Sequence, residues 1–136
     1  MIENQKIELI SRAHAARRNS YAPYSNFHVG AAVLMEDGDI FIGANVENIS
    51  YGLTICAERA AIFNAISHGK RKIKAIAIAT NTDRPIPPCG ACRQVIREFS
   101  DAGALIIMVG RTGACETKSI DELLPFNFGN WKHSYV

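Results

Sequence analysis

Four cysteines, Cys56, Cys89, Cys92 and Cys115, are the residues of this chain whose type and spacing most directly invite chemistry. Cys89-Gly-Ala-Cys92 sets two thiols three residues apart, and on a helix such positions share one face, so both sulfurs can reach one ion. Thioredoxin-like redox dithiols use the same spacing, but they place it near the start of a βαβ unit and would leave Cys56 without a role. Only three thiols are expected to converge, which favours Zn²⁺ over an iron–sulfur cluster. Three thiolates leave a fourth tetrahedral position open, the arrangement of a catalytic zinc site that holds water. Cys115 is the residue that could close that position and make the site structural. It follows a turn on a different hairpin, and the expectation is a small, half-buried packing residue.

The neighbours of these cysteines extend the chemistry. Glu58, two residues after Cys56, complements the dipole of a helix that starts there. Beside a metal-activated water the same carboxylate can take a proton and return it elsewhere, which makes Glu58 the candidate general acid and base. Arg59, three residues after Cys56, can hydrogen-bond a ligand sulfur and draw off the negative charge of a three-thiolate site. Arg93, next to Cys92, is expected to do the same. The histidines His14, His28, His68 and His133 show no ligand spacing.

These groups must be positioned by several elements. Residues 5 to 19 read as a helix with Ile7, Ile10, Ala13 and Ala16 on one stripe. Phe27 to Met35 and Ile40 to Val46 read as strands paired across the turn Glu36-Asp-Gly-Asp39. Cys56 to Ser67 reads as a second helix, Ile73 to Thr80 as a buried strand, and Cys89 to Phe99 as a third helix opened by Pro88. Ala104 to Val109 and Cys115 to Ile120 are further strands, followed by a short helix through Leu124. Helices opened by Cys56 and Cys89 would aim two positive dipole ends at one spot and favour thiolate. The order implies an α/β fold, a mixed sheet with helices on its faces.

Composition narrows the function. With 136 residues, 48% hydrophobic and 21% charged, the chain suits one core, and residues 1 to 136 are taken as a single domain. Fifteen basic against thirteen acidic residues leave a net charge of +2, too little for a surface built on a phosphate backbone. No apolar run approaches the ~20 residues of a membrane span, and the polar N-terminus carries no signal core, so a cytoplasmic protein with neither nucleic acid nor membrane as partner is expected. The chain also lacks a Gly-x-Gly-x-x-Gly run or a phosphate-binding Gly-Lys-Ser/Thr.

Cys56-Ala-Glu-Arg59 and Pro88-Cys-Gly-Ala-Cys-Arg-Gln94 together resemble the paired signatures of the cytidine deaminase family, in its small, homotetrameric, three-cysteine branch. Tyr21-Ala-Pro-Tyr-Ser-Asn-Phe-His-Val-Gly-Ala-Ala32, Gly43-Ala-Asn-Val-Glu-Asn48 and Leu123-Leu-Pro-Phe-Asn-Phe-Gly129 resemble its other blocks in the right order. The resemblance implies a three-layer α/β/α fold with a mixed five-stranded sheet and one Zn²⁺ per subunit on Cys56, Cys89 and Cys92. It implies hydrolytic deamination of cytidine and 2′-deoxycytidine in pyrimidine salvage, with Glu58 moving the protons. It also implies that Asn45 and Glu47 bind the sugar, that Phe27 and the backbone of Ala57 meet the base, and that Phe128 serves a neighbouring subunit's site. Asn45 and Glu47, two residues apart at a strand end, would leave one face together. Val46 and Asn130 stand where Ile and Pro are commoner in the family, and the tail with Trp131, His133 and Tyr135 matches no family signature. A deaminase of modified nucleosides or of an antibiotic of the blasticidin-S type is the nearest rival, against which Arg59 and the Asn45/Glu47 pair argue. A structural zinc module closed by Cys115 is the reading outside the enzymes.

Overall fold

A computed structural model describes residues 1–129. Trp131, His133, Tyr135 and Asn130, singled out in the sequence, lie outside the described residues. The elements run α1 (Glu3–Arg17), β1 (Val29–Met35), β2 (Ile40–Ala44), a single 3-10 turn (Tyr51–Leu53), α2 (Ala57–Ser67), β3 (Ile73–Thr80), α3 (Gly90–Glu98), β4 (Ser100–Val109), β5 (Cys115–Ser119) and α4 (Ile120–Leu123). The strands form one mixed sheet in the order β2-β1-β3-β4-β5, in which only β3 and β4 are parallel. The α/β expectation of a five-stranded mixed sheet is met.

Alternation along the strands builds two cores. One face of β1 and β3 gives Ala31, Val33, Ile76 and Ile78 to a cluster completed by Ile62 of α2, Ile96 of α3 and Ile120 of α4. The other gives Ala32, Leu34, Ala75 and Ala77 to a cluster with Leu9 and Ala13 of α1. The period of two places successive residues on opposite faces, so a strand buried on both must be apolar throughout, as β1 is. Two glycines let helices approach closely. A Cβ on Gly30 would stand 2.2 Å from the Ala13 carbonyl oxygen of α1, and one on Gly43 would stand 2.3 Å from the Ala61 amide nitrogen of α2.

Some expectations need correcting. The buried stripe of α1 is Leu9, Ala13 and Ala16, whereas Ile7 is 58% exposed. Ala13 and Ala16 lie on the same stripe as Leu9, and the sheet beneath selects that face. Strand β1 begins at Val29, because the Phe27 carbonyl and the His28 amide bond to the side chains of Asn45 and Asn81 instead of a neighbouring strand. Strand β2 ends at Ala44, and Val46 makes isolated bridges to Tyr21 and Ile55. Cys115 is exposed, not half-buried, since it opens an edge strand. Among the described residues no helix is long and apolar enough to cross a membrane.

Candidate functional site

Helices α2 and α3 start side by side at the carboxyl end of β3, and each is capped by a cysteine. Cys56 and Cys89 are extended N-cap residues, so each sulfur lies at the positive end of a helix that it does not itself continue. Cys92, on the first turn of α3, is fully buried. The Cys56 and Cys89 sulfurs are 3.8 Å apart, and the three sulfurs all lie within 4.8 Å of one another. Tetrahedral zinc with Zn–S of about 2.3 Å separates its ligand sulfurs by roughly 3.8 Å, so the donor set fits that ion. Cys115 is not part of this cluster.

The surroundings favour ionised sulfur at one position first. Hydrogen bonds from the Cys92 thiol and from the Arg59 guanidinium bring the Cys56 thiol down to about 5. Cys92 is pushed up by its bond to Cys56 and by burial. Arg59 Nη2 donates to Cys56 Sγ at 3.5 Å, the contact that the spacing anticipates. Arg93 departs from expectation: its Nε donates to the Pro88 carbonyl at 2.8 Å and its Nη1 to the Leu123 carbonyl at 2.7 Å. The Leu123 carbonyl is one of the last of α4, which have no partner within the helix, and the guanidinium fork reaches it and the Pro88 carbonyl together. Arg93 thus ties the start of the ligand-bearing helix to α4, and neither bond is to a sulfur.

Glu58 projects from the first turn of α2 and is only 4% exposed. Burial pushes its carboxyl up to about 7, which brings it into the range where a carboxyl gains and loses protons near neutral pH. It shares the wall of a cavity of about 310 Å³ with Cys56, Ala57 and Cys89. Phe27, Asn45 and Glu47 also line it, and Val29, Thr54, Ile78, Thr80, Ile86 and Pro87 complete the lining. Among the described residues, two carboxylates and no lysine, arginine or histidine belong to that lining. Phe128 is 66% exposed and lines a separate depression with Gln94, Leu124 and Pro125.

Asn45 and Glu47 are more tightly held than a strand end predicts. The Asn45 carboxamide oxygen accepts from the Val29 amide at 3.0 Å and from the Ser20 hydroxyl, while its nitrogen donates to the Phe27 carbonyl at 2.8 Å. Glu47 accepts from the Tyr24 and Ser25 amides at 2.9 and 3.2 Å and from the Ser25 hydroxyl, which holds its carboxyl below the usual range. Ser20 and Ser25 were not singled out by spacing. Their positions in the turn-rich stretch before β1 were the available signal, because serines there bond to nearby chain rather than to helix interiors.

Comparison with known proteins places this geometry. Residues 3–109 match the family model described as the cytidine and deoxycytidylate deaminase zinc-binding region. A cytidine deaminase of Halalkalibacterium halodurans is 51% identical over 120 residues, covering 88% of this chain and 91% of that protein. One of Sporosarcina psychrophila is 45% identical over 129 residues, with 95% of each chain covered. The crystal structure of cytidine deaminase from Burkholderia pseudomallei superposes with a TM-score of 0.87 at 46% identity, covering 94% of this chain and all of that one. Sequence, fold and thiol cluster agree, and the chain belongs to the cytidine and deoxycytidylate deaminase family of zinc enzymes.

Proposed function

We propose that this chain hydrolyses the exocyclic amine of cytidine and 2′-deoxycytidine, giving the uridine nucleoside and ammonia, as a cytoplasmic enzyme of pyrimidine salvage. The observation that carries the reading is one cavity lined by Glu58, by Cys56 and Cys89 of the three-thiol cluster, and by Asn45 and Glu47. Cys56, Cys89 and Cys92 would hold the zinc ion, whose chemistry there would be to make a water acidic enough to lose a proton near neutral pH. Glu58 would take that proton and deliver it to ring N3 as the water oxygen bonds to C4, then take the remaining proton of that oxygen and donate it to the amine as the bond from C4 to the exocyclic nitrogen breaks and the C4 carbonyl forms. The carboxyl's burial keeps its proton exchange close to neutrality, as both steps require. Phe27 offers a ring face to the pyrimidine, the Ala57 backbone borders the base, and Asn45 with Glu47 grips the sugar. A lining that carries two carboxylates and no cation among the described residues suits an uncharged nucleoside better than a nucleotide phosphate.

Residues 1 to 136 act as one domain, since every described strand joins a single sheet. Four copies assemble, with Phe128 entering a neighbour's site. The exposure of Ile49 at 82%, Tyr51 at 75% and Leu53 at 65% supports burial against further copies. The test pairs metal analysis of the purified protein with ultraviolet-monitored loss of cytidine. One zinc per chain with cytidine turnover is expected, and zinc without deamination of cytidine or deoxycytidine overturns the reading.

A further inference from the structure

We propose that Ser20, itself held by His28, is a positioning residue that keeps the Asn45 carboxamide facing the sugar as a hydrogen-bond donor. The inference rests on the nucleoside reading above. It starts from an inventory of Asn45, which is 6% exposed and lines the cavity. Which carboxamide atom is oxygen follows from two backbone partners: the Val29 amide requires an acceptor and the Phe27 carbonyl requires a donor. The oxygen's second lone pair takes the Ser20 hydroxyl proton. The oxygen is then saturated, and one N–H remains for a ligand.

Ser20 has a single proton, and Asn45 uses it. His28 Nδ1, 3.0 Å from the Ser20 oxygen, must therefore be the donor in that contact. On the other side of the ring the Asn26 carboxamide lies 3.2 Å from Nε2, and with Nδ1 as the donor it is the Asn26 amide nitrogen, turned toward the ring, that donates to Nε2. Its backbone is clamped by Asn81, whose Oδ1 accepts from the His28 amide at 3.1 Å and whose own amide donates to the His28 carbonyl at 3.2 Å. A directed chain runs from a clamped imidazole through one hydroxyl to the cavity. Without the hydroxyl, the Asn45 oxygen has a free lone pair and its carboxamide loses one of three restraints. The pair with Glu47, one donor beside one acceptor, is then less well defined for a sugar hydroxyl that must both accept and donate.

The test measures kcat and KM of the full-length zinc-loaded protein for cytidine and for 2′,3′-dideoxycytidine, which lacks both secondary hydroxyls. Ser20→Ala is expected to raise KM for cytidine by roughly 5–10-fold, with kcat within about twofold and the dideoxynucleoside constants unmoved. Ser20→Thr, which keeps the hydroxyl, restores the cytidine KM. His28→Ala shifts KM the same way by a smaller factor, and His28→Asn, whose amide nitrogen falls near the Nδ1 position, recovers most of it. Equal losses for both substrates, or an unchanged cytidine KM in Ser20→Ala and His28→Ala, overturn the proposal. A wild-type protein that fails to prefer cytidine over the dideoxynucleoside removes the sugar role of Asn45 and the proposal with it. A preference kept in full by both variants overturns the positioning role alone.

Discussion

Glu58 and Arg59 are neighbours on the first turn of α2, yet they serve different ends. Glu58 is a buried carboxyl in the cavity wall, so Glu58→Gln removes the proton acceptor while keeping shape and the three thiols. We expect kcat to fall by roughly 10²–10⁴-fold with one zinc per chain retained, measured by turnover alongside metal analysis. Near-normal turnover would disprove the proton-transfer role. Arg59 instead touches the Cys56 sulfur, so Arg59→Gln leaves more negative charge on the metal site. Its expected effect is a fall in kcat of about tenfold, the low end for a group supporting a metal ligand, again with zinc retained. Cysteine spacing and the adjacent carboxylate were legible in the sequence because their relation is local: a helix turn brings residues i and i+3 together whatever surrounds it. The partners of Asn45 and Glu47 were not, since Ser20 and Ser25 lie 25 and 22 residues away and meet them only after the strands have paired.

Elements act on the site through their seating, and Gly43 is the point where α2 is seated. Its missing Cβ would stand 2.3 Å from the Ala61 amide nitrogen and 2.9 Å from the Ala57 carbonyl oxygen, both backbone atoms that cannot rotate away. Gly43→Ala must push the helix carrying Cys56 and Glu58 off the sheet. The expected cost is about 1–3 kcal/mol by denaturant unfolding, together with loss of zinc that Gly103→Ala, which meets no atom, does not share. Farther from the site, Lys70 ties Asp37 and Asp39 of the β1–β2 turn at 2.7 and 2.8 Å. The Lys70 contact holds the Asp37 carboxyl below its usual range, so its stabilisation is present above the unfolded value near 4 and is lost as pH falls through the lower folded value. Asp37→Asn should therefore flatten the fall in stability below about pH 4, as read from melting temperatures across that range. Strand β3 was legible to the residue because it is buried on both faces from Ala75 onward and reads as an unbroken apolar run from Ala75 to Ala79. The face of α1 was not, because its moderately apolar turns offer Ile7 and Leu9 alike and only the sheet decides between them.

At the scale of the whole molecule, the cavity and Phe128 do not meet within one chain. Phe128 lines a depression beside α3 and α4, while the cavity lies between β1, β3 and the starts of α2 and α3. If Phe128 completes a neighbour's cavity, each site draws Glu58 from one subunit and Phe128 from another, and two defects on different subunits can compensate. Phe128→Ala and Glu58→Gln proteins, each of low activity alone, should regain activity when unfolded together and reassembled. In an equal mixture half the sites keep Glu58, and half of those face a subunit that keeps Phe128. Random assembly therefore restores about a quarter of wild-type turnover. Light scattering on the same samples should report four copies per particle. Mixed assemblies that stay as inactive as their parents would place Phe128 in its own chain's site or in none, and would leave the exposed apolar residues from Ile49 to Leu53 as packing between copies without a share in catalysis.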